Sequence, residues 1–157
     1  MLSIVNGFVE RNPQYIEQAV QDDLAWGVPR EQEVIDKLRL YFNQDIRPTE
    51  EGQYWDADSP EARYEIKSRR DIKSTTFHTT MIPLSKCCHK TKNKDLVFVF
   101  NFEDGEYYIK YTELSFQPYD LEFVYAPRQR NGVYVVNKEL VILIPVTDLV
   151  KITLPAP

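Results

Sequence analysis

The sequence predicts one α/β domain of mixed α+β type, in which helices come first and a mostly antiparallel mixed sheet follows. Apolar residues recur at helical spacing in the front third, whereas later segments are short and rich in β-branched and aromatic residues. The 157 residues suffice for one hydrophobic core and not comfortably for two. With 43% hydrophobic and 27% charged residues, the composition excludes a disordered or fibrous chain.

Two helices are predicted before the first strand. Residues 14–26 have apolar side chains at helical spacing after Pro13, which suits a first helical turn. Gly27 and Pro29 predict a break. A second helix is then expected over residues 29–43.

Turn signals separate the later segments into hairpins. Ser-Pro at 59–60 and Asp-Gly at 104–105 each stand between two strand-like runs. The polar, basic stretch 71–94 is expected to be a connection with a short helix near 84–89, and 128–132 reads as a basic loop. Strands are predicted over residues 53–58, 62–69, 95–102, 107–111, 121–125 and 139–144.

Charge is distributed unevenly along the chain. The formal net charge is −5, yet residues 61–94 hold nine Lys and Arg against three acidic residues, a local charge of +6. The rest of the chain has a charge of −11. A positive surface on an acidic body is expected of a protein that handles a polyanion at one place. The alternative at this point is an ordinary solvated loop.

The sequence predicts an intracellular protein, cytoplasmic or nuclear, with no membrane partner. No apolar run reaches the ~18 residues that a membrane helix needs. The N-terminal residues have neither a basic lead nor a long apolar stretch, so no secretory signal is expected. The two cysteines, Cys87 and Cys88, are adjacent in the sequence. A disulfide between sequence neighbours rarely closes a useful loop, so we expect reduced cysteines, as in an intracellular protein.

One constellation has the parts for catalysis. Glu65-Ile66-Lys67 lies within a predicted strand, where alternation places Glu65 and Lys67 on one face. The hairpin can bring Asp56 or Asp58 beside Glu65. Two carboxylates and a backbone carbonyl form an oxygen-rich site suited to Mg²⁺, and a lysine beside it can orient or deprotonate a water for phosphodiester hydrolysis. The alternative is a cross-strand ion pair contributing ~1 kcal/mol or less.

The acid-x-Lys pattern alone is not diagnostic. A chain with this many acids and lysines contains about 1.5 copies by chance. A second copy, Asp71-Ile72-Lys73, follows two arginines and leads into a polar stretch without a strand signal. Context therefore favours the first copy.

The run YWDAD at 54–58, followed by YEIKSR at 64–69, resembles the PD-(D/E)XK, or restriction-endonuclease-like, nuclease superfamily. Its members include restriction enzymes, Holliday-junction resolvases and phage and viral repair nucleases. Their core is a helix, a three-stranded antiparallel meander, a second helix and a further strand. The resemblance implies this core over residues 29–112. Residues 1–28 would be an N-terminal helical extension and 113–157 C-terminal strands, all in one domain that spans the chain.

The resemblance also implies roles for individual residues. Asp56 and Glu65 would be ligands of Mg²⁺ or Mn²⁺, completed by the carbonyl between Glu65 and Lys67. Lys67 would be the catalytic lysine. Glu31, on the preceding helix, matches the place of an auxiliary acid, although a solvated first-turn acid is the alternative. No proline precedes Asp56 and the gap to Glu65 is short, so the choice between Asp56 and Asp58 stays open.

The implied activity is Mg²⁺-dependent endonucleolytic cleavage of DNA. Because one such site cuts one strand, a homodimer is expected. Two alternatives are a nuclease-fold protein that binds nucleic acid without cleaving it, and an α+β protein-interaction module in which the constellation is structural. Basic residues expected to hold the DNA backbone are Arg69, Arg70, Lys73, Lys86, Lys90, Lys92 and Lys94.

Overall fold

The computed structural model shows a mixed α+β fold with few helices and a mostly antiparallel sheet, as the sequence predicts. The described residues are 3–5, 8–10, 13–50, 53–88, 93–130 and 132–156. The helices are α1 (Pro13–Phe42), α2 (Leu84–Cys88) and α3 (Glu113–Phe116), with a 3-10 turn at Val146–Asp148. The strands are β1 (Ser3–Val5), β2 (Phe8–Glu10), β3 (Arg47–Pro48), β4 (Ala57–Asp58), β5 (Ala62–Ser68), β6 (Thr79–Pro83), β7 (Asp95–Phe102), β8 (Gly105–Lys110), β9 (Leu121–Arg130), β10 (Val133–Pro145) and β11 (Val150–Lys151).

Helix α1 is continuous, so the predicted break at Gly27 and Pro29 is wrong. A proline inside a helix removes one backbone hydrogen bond and costs about 3 kcal/mol, but it need not end the helix. The half that follows Pro29 is anchored by Val34, Ile35 and Leu38, which are all buried against the sheet. Each such burial contributes about 1.5–3 kcal/mol, so packing outweighs the local cost. No helix of the described ranges combines the length and apolar character needed to cross a membrane.

The main sheet has six strands in the order β11-β8-β7-β5-β4-β3. Strands β5 and β7 are parallel, with Glu65 opposite Phe98 and Lys67 opposite Phe100, and the other neighbours are antiparallel. A parallel pair needs a long crossover, which here contains β6 and α2. The sequence-predicted connection over residues 71–94 therefore includes a strand, β6, that was missed.

Alternation along β5 divides its side chains between two cores. Tyr64 and Ile66 pack with α1 on one face of the sheet. Glu65 and Lys67 point to the other face, where Phe98 and Phe100 of β7 belong to an aromatic core. The acid and the lysine of the motif therefore lie on the side of the sheet away from α1.

Strand β4 is shorter than predicted. It begins at Ala57, so residues 53–56 precede the strand. Ala57 pairs with Tyr64 of β5 and Asp58 with Arg63. This short strand leaves the second half of β5 without a partner on that side, and the candidate site lies there. The predicted short helix near 84–89 is α2, and His89 lies outside the described residues.

A second sheet, β6-β10-β9, covers the aromatic face. Its hairpin is longer than predicted, and Arg128 and Arg130 lie in β9 rather than in a basic loop. Backbone pairing continues to Arg130 opposite Val133, and Gly132 adopts a positive φ of 76° in the remaining turn. Pro127 is tolerated because β9 is an edge strand.

Candidate active site

Asp56 is the residue immediately before β4, which begins at Ala57. Its backbone N–H donates to the carbonyl of Tyr64 at 3.0 Å. Its Oδ2 accepts a 2.7 Å hydrogen bond from the N–H of Ile66. The Asp56 carboxylate therefore accepts the β5 hydrogen bond that a backbone carbonyl of a neighbouring strand would otherwise accept, and it lies next to Glu65.

The carbonyl of Ile66 points to the same side as the Asp56 carboxylate. Within a strand, the N–H and C=O of one residue point the same way, and successive residues alternate. The N–H of Arg69 points toward β7 and donates to the carbonyl of Asn101 at 2.8 Å. By this alternation, the N–H and C=O groups of the odd-numbered residues of β5 also point toward β7. Tyr64 and Ile66 are turned the other way, toward Asp56.

Glu65 is a buried carboxylate held between two ammonium groups. Its side chain is 3% exposed, with Oε1 2.8 Å from Lys67 Nζ and Oε2 3.0 Å from Lys86 Nζ. Oε2 nevertheless accepts no hydrogen bond from any described residue, because the approach of Lys86 does not meet hydrogen-bond geometry. A buried carboxylate is tolerated only when it is paired, and the two lysines supply that pairing.

Lys86 is a site residue that sequence reasoning placed elsewhere. The sequence assigned it to the DNA backbone, but α2 directs its side chain inward, where only 17% is exposed. Its Nζ donates to the carbonyl of Tyr54 at 2.5 Å and lies 3.9 Å from the centroid of the Tyr54 ring, a cation–π contact. Nothing in the local sequence signals this, because the crossover decides how close α2 comes to Glu65.

Glu31, on α1, is close enough to the site for the charges of Asp56 and Glu65 to affect it. It is half-buried on α1, and burial together with the charges of Asp56 and Glu65 raises its pKa from 4.5 to about 7, against an opposing effect of Lys67. Burial, followed by the charge of Glu65, raises the pKa of Asp56 from 3.8 to about 6, although the Ile66 N–H and both lysines oppose this. The three carboxyl groups thus outnumber the two ammonium groups in a poorly solvated place.

Asp58 is engaged elsewhere. Lys94 Nζ lies 2.9 and 3.0 Å from its two oxygens, and Arg63 Nε lies 3.9 Å away. The structure therefore brings Asp56, and not Asp58, to Glu65. Lys94 is occupied by this pair.

The other predicted DNA contacts differ in exposure. Arg70 and Lys73 are exposed, with Arg70 Nε 3.9 Å from an oxygen of Asp71. Lys90 and Lys92 lie outside the described residues.

Arg69 points into the aromatic face instead of the surface. Its Nη2 donates to the carbonyl of Met81, and its guanidinium carbon lies 5.7 Å from the centroid of the Phe100 ring. Burial lowers its pKa to about 10, so the group stays cationic at neutral pH.

The candidate donor atoms are oxygens, the atom type that binds hard divalent cations. Over the described ranges, no group of three or more His, Cys, Asp or Glu side chains is arranged to hold a metal ion. The available donors are two carboxylates, Asp56 and Glu65, with the carbonyl of Ile66. All are hard oxygens of the type Mg²⁺ prefers, and Glu65 Oε2 is a buried oxygen whose hydrogen-bonding capacity is unused.

Comparisons with family models, curated proteins and solved structures find no match to this chain.

Proposed function

We propose that the chain is a Mg²⁺-dependent endonuclease that hydrolyses DNA phosphodiester bonds. The observation on which this depends is the convergence of Asp56, Glu65 and the Ile66 carbonyl, with Lys67 Nζ 2.8 Å from Glu65. Convergent hard oxygens and an adjacent lysine are the groups that this chemistry requires.

The order of the elements supports a restriction-endonuclease-like core. Helix α1 is followed by the antiparallel meander β3-β4-β5, then by β6 of the second sheet and by α2, and then by β7, which pairs in parallel with β5. Apart from the inserted strand β6, this is the order of elements that the resemblance implies. It assigns the candidate acids to the meander and Glu31 to the first helix.

The residues divide the proposed work. Asp56, Glu65 and the Ile66 carbonyl hold the cation, which when bound stabilises negative charge on a phosphate oxygen. Lys67 is 26% exposed, so its Nζ reaches both Glu65 and a water next to the phosphate, which it orients. Glu31, whose pKa is about 7 in the metal-free protein, is the proposed auxiliary acid.

DNA is the proposed partner, together with a second copy of the chain. Arg70 and Lys73 are exposed on the segment that leaves β5, where they can contact the phosphate backbone close to the site. Cutting both strands requires two sites, which favours a homodimer. The proposed location is intracellular, cytoplasmic or nuclear.

The test is cleavage of supercoiled plasmid and of a four-way junction with Mg²⁺ or Mn²⁺, and with EDTA. We expect Asp56→Asn, Glu65→Ala and Lys67→Ala each to slow cleavage by about 100-fold or more. Asp71→Asn is the matched control for the acids, because it lies in the second acid-x-Lys copy. Lys110→Ala is the control for Lys67. Cleavage that survives the three site changes would show that the site is wrong.

One observation favours a second candidate, a nucleic-acid-binding protein without catalysis. Both oxygens of Glu65 already face a lysine ammonium, which is a self-sufficient arrangement of charges. Such a protein would bind DNA with steep salt dependence but would cut none in either metal. Binding by gel shift at several salt concentrations, run beside the cleavage assay, separates the two candidates.

A further inference from the structure

A cavity of about 350 Å³ lies beyond the C-terminal end of β5, between the main sheet and the second sheet. Arg69 is one of its lining residues, four residues after Glu65 on the same face of the chain. The strand rise places the two Cα atoms ~13 Å apart. A nucleic-acid strand held at Glu65 would therefore pass the opening of this cavity.

Much of the cavity lining is apolar. Phe102, Val124 and Leu143 line it, and Phe77, whose side chain is 61% exposed, lies at its edge. The volume is sufficient for one planar heterocycle. An exposed aromatic ring beside an apolar cavity is suited to stacking on such a ring.

The polar groups of the cavity have complementary hydrogen-bonding properties. The guanidinium of Arg69 has five N–H donors, and its Nη2 donates to the Met81 carbonyl. The Glu122 carboxylate, also in the lining, is acceptor-only when ionised. Nucleobases present acceptors and N–H donors on one planar edge, and guanine offers O6 and N7 to an arginine.

We propose that this cavity receives one unpaired nucleobase of the nucleic-acid substrate, stacked beside Phe77 and hydrogen-bonded by Arg69. The assignment of a base as ligand rests on the proposed function. With a base in this cavity, the protein recognises an unstacked nucleotide beside the scissile phosphate. Branched, looped or frayed DNA is then preferred over uninterrupted duplex.

The probe is 2′-deoxyguanosine 5′-monophosphate (dGMP), with 2-deoxyribose 5-phosphate as the matched ligand without a base. Binding to the full chain is measured by calorimetric titration and by NMR line shifts. We expect dGMP to bind and the sugar phosphate to bind at least about tenfold more weakly. Arg69→Gln should weaken dGMP binding about 10- to 100-fold, because charge-assisted hydrogen bonds are lost.

Two further variants keep the test decisive. Phe77→Ala removes an exposed ring, so folding is preserved, and dGMP binding should weaken by about 5- to 100-fold. Arg47→Gln removes the same charge at a distant exposed site and should leave dGMP binding unchanged. Thermal melting of each variant checks that it is folded.

The outcomes separate the cavity from the chemistry. Equal binding of dGMP and the sugar phosphate, or dGMP binding unaffected by both Arg69→Gln and Phe77→Ala, overturns the nucleobase assignment. Base-dependent binding in a protein that cuts no DNA supports the cavity and contradicts the endonuclease proposal. Cleavage that depends on Glu65, in a protein that does not bind dGMP, supports the endonuclease proposal and overturns the nucleobase assignment.

Discussion

Lowering the pH should stabilise this protein when no divalent cation is present. Asp56 has a folded-state pKa of about 6 against an ordinary value of 3.8, and Glu31 one of about 7 against 4.5. Between the ordinary and the raised pKa, the folded state binds more protons than the unfolded state. The free energy of unfolding therefore falls as the pH rises from about 4 to about 7.

The size of this effect follows from the same values. At 1.36 kcal/mol per pKa unit, Asp56 accounts for about 3 kcal/mol. Glu31 is half-exposed, so solvent screening makes its share considerably smaller. We expect the free energy of unfolding at pH 4.5 to exceed that at pH 8 by about 2–4 kcal/mol from these two groups.

The assay is urea unfolding followed by circular dichroism at pH 4.5, 6 and 8 in EDTA. Asp56→Asn keeps an acceptor for the Ile66 N–H but cannot ionise, so its unfolding free energy should change with pH by about 2 kcal/mol less than that of the wild type, and the smaller share of Glu31 should remain. Excess Mg²⁺ should stabilise the wild type more at pH 8 than at pH 4.5, because a cation favours the ionised carboxyls. If wild type and Asp56→Asn respond to pH in the same way, the crowding of carboxyl groups inferred at this site is wrong.

Three other substitutions test the environment of the site and of the fold. Lys86→Met leaves Glu65 Oε2 without its ammonium partner and should lower the free energy of unfolding in EDTA by about 2–4 kcal/mol. The loss should be smaller in Mg²⁺. An unaltered urea midpoint would show that the Lys86–Glu65 pair contributes nothing to stability. Phe98→Ala should cost about 3–5 kcal/mol by urea unfolding, whereas the exposed Phe123 should tolerate the same change within about 1 kcal/mol; similar losses at both would contradict the assigned core. Pro29→Ala should raise the melting temperature by restoring a helical hydrogen bond, and an unchanged or lower value would contradict the local cost assigned to Pro29.

The sequence predicts most of the fold where local pattern and tertiary structure agree. The run over residues 95–102 coincides with β7, because its β-branched and aromatic residues suit a central strand. The break at Pro29 was wrong, since burial of the following turns outweighs one lost hydrogen bond. Strand β6 was missed, because its five residues stand within the polar, basic stretch 71–94 and pair only with the distant strand β10.

For the site, residues close in the chain could be predicted, while distant partners could not. Strand alternation and the hairpin suffice to put Asp56 or Asp58 near Glu65, with Lys67 on the same face, but they do not decide between the two aspartates. Lys86 reaches Glu65 only through the crossover between β5 and β7, and no local pattern encodes that path. The inward direction of Arg69 has the same origin, since it depends on Phe100 and on the second sheet.

The parallel pairing of β5 with β7 also has a consequence for the order of events during synthesis. The hairpin that bears Asp56 and Glu65 leaves the ribosome first, and at that stage water can solvate its carboxylates. Burial of Glu65 requires Lys86 and Phe98, which are made later and must close a long loop. The acidic centre is thus completed only after most of the polypeptide has emerged, so a prematurely terminated chain lacks it.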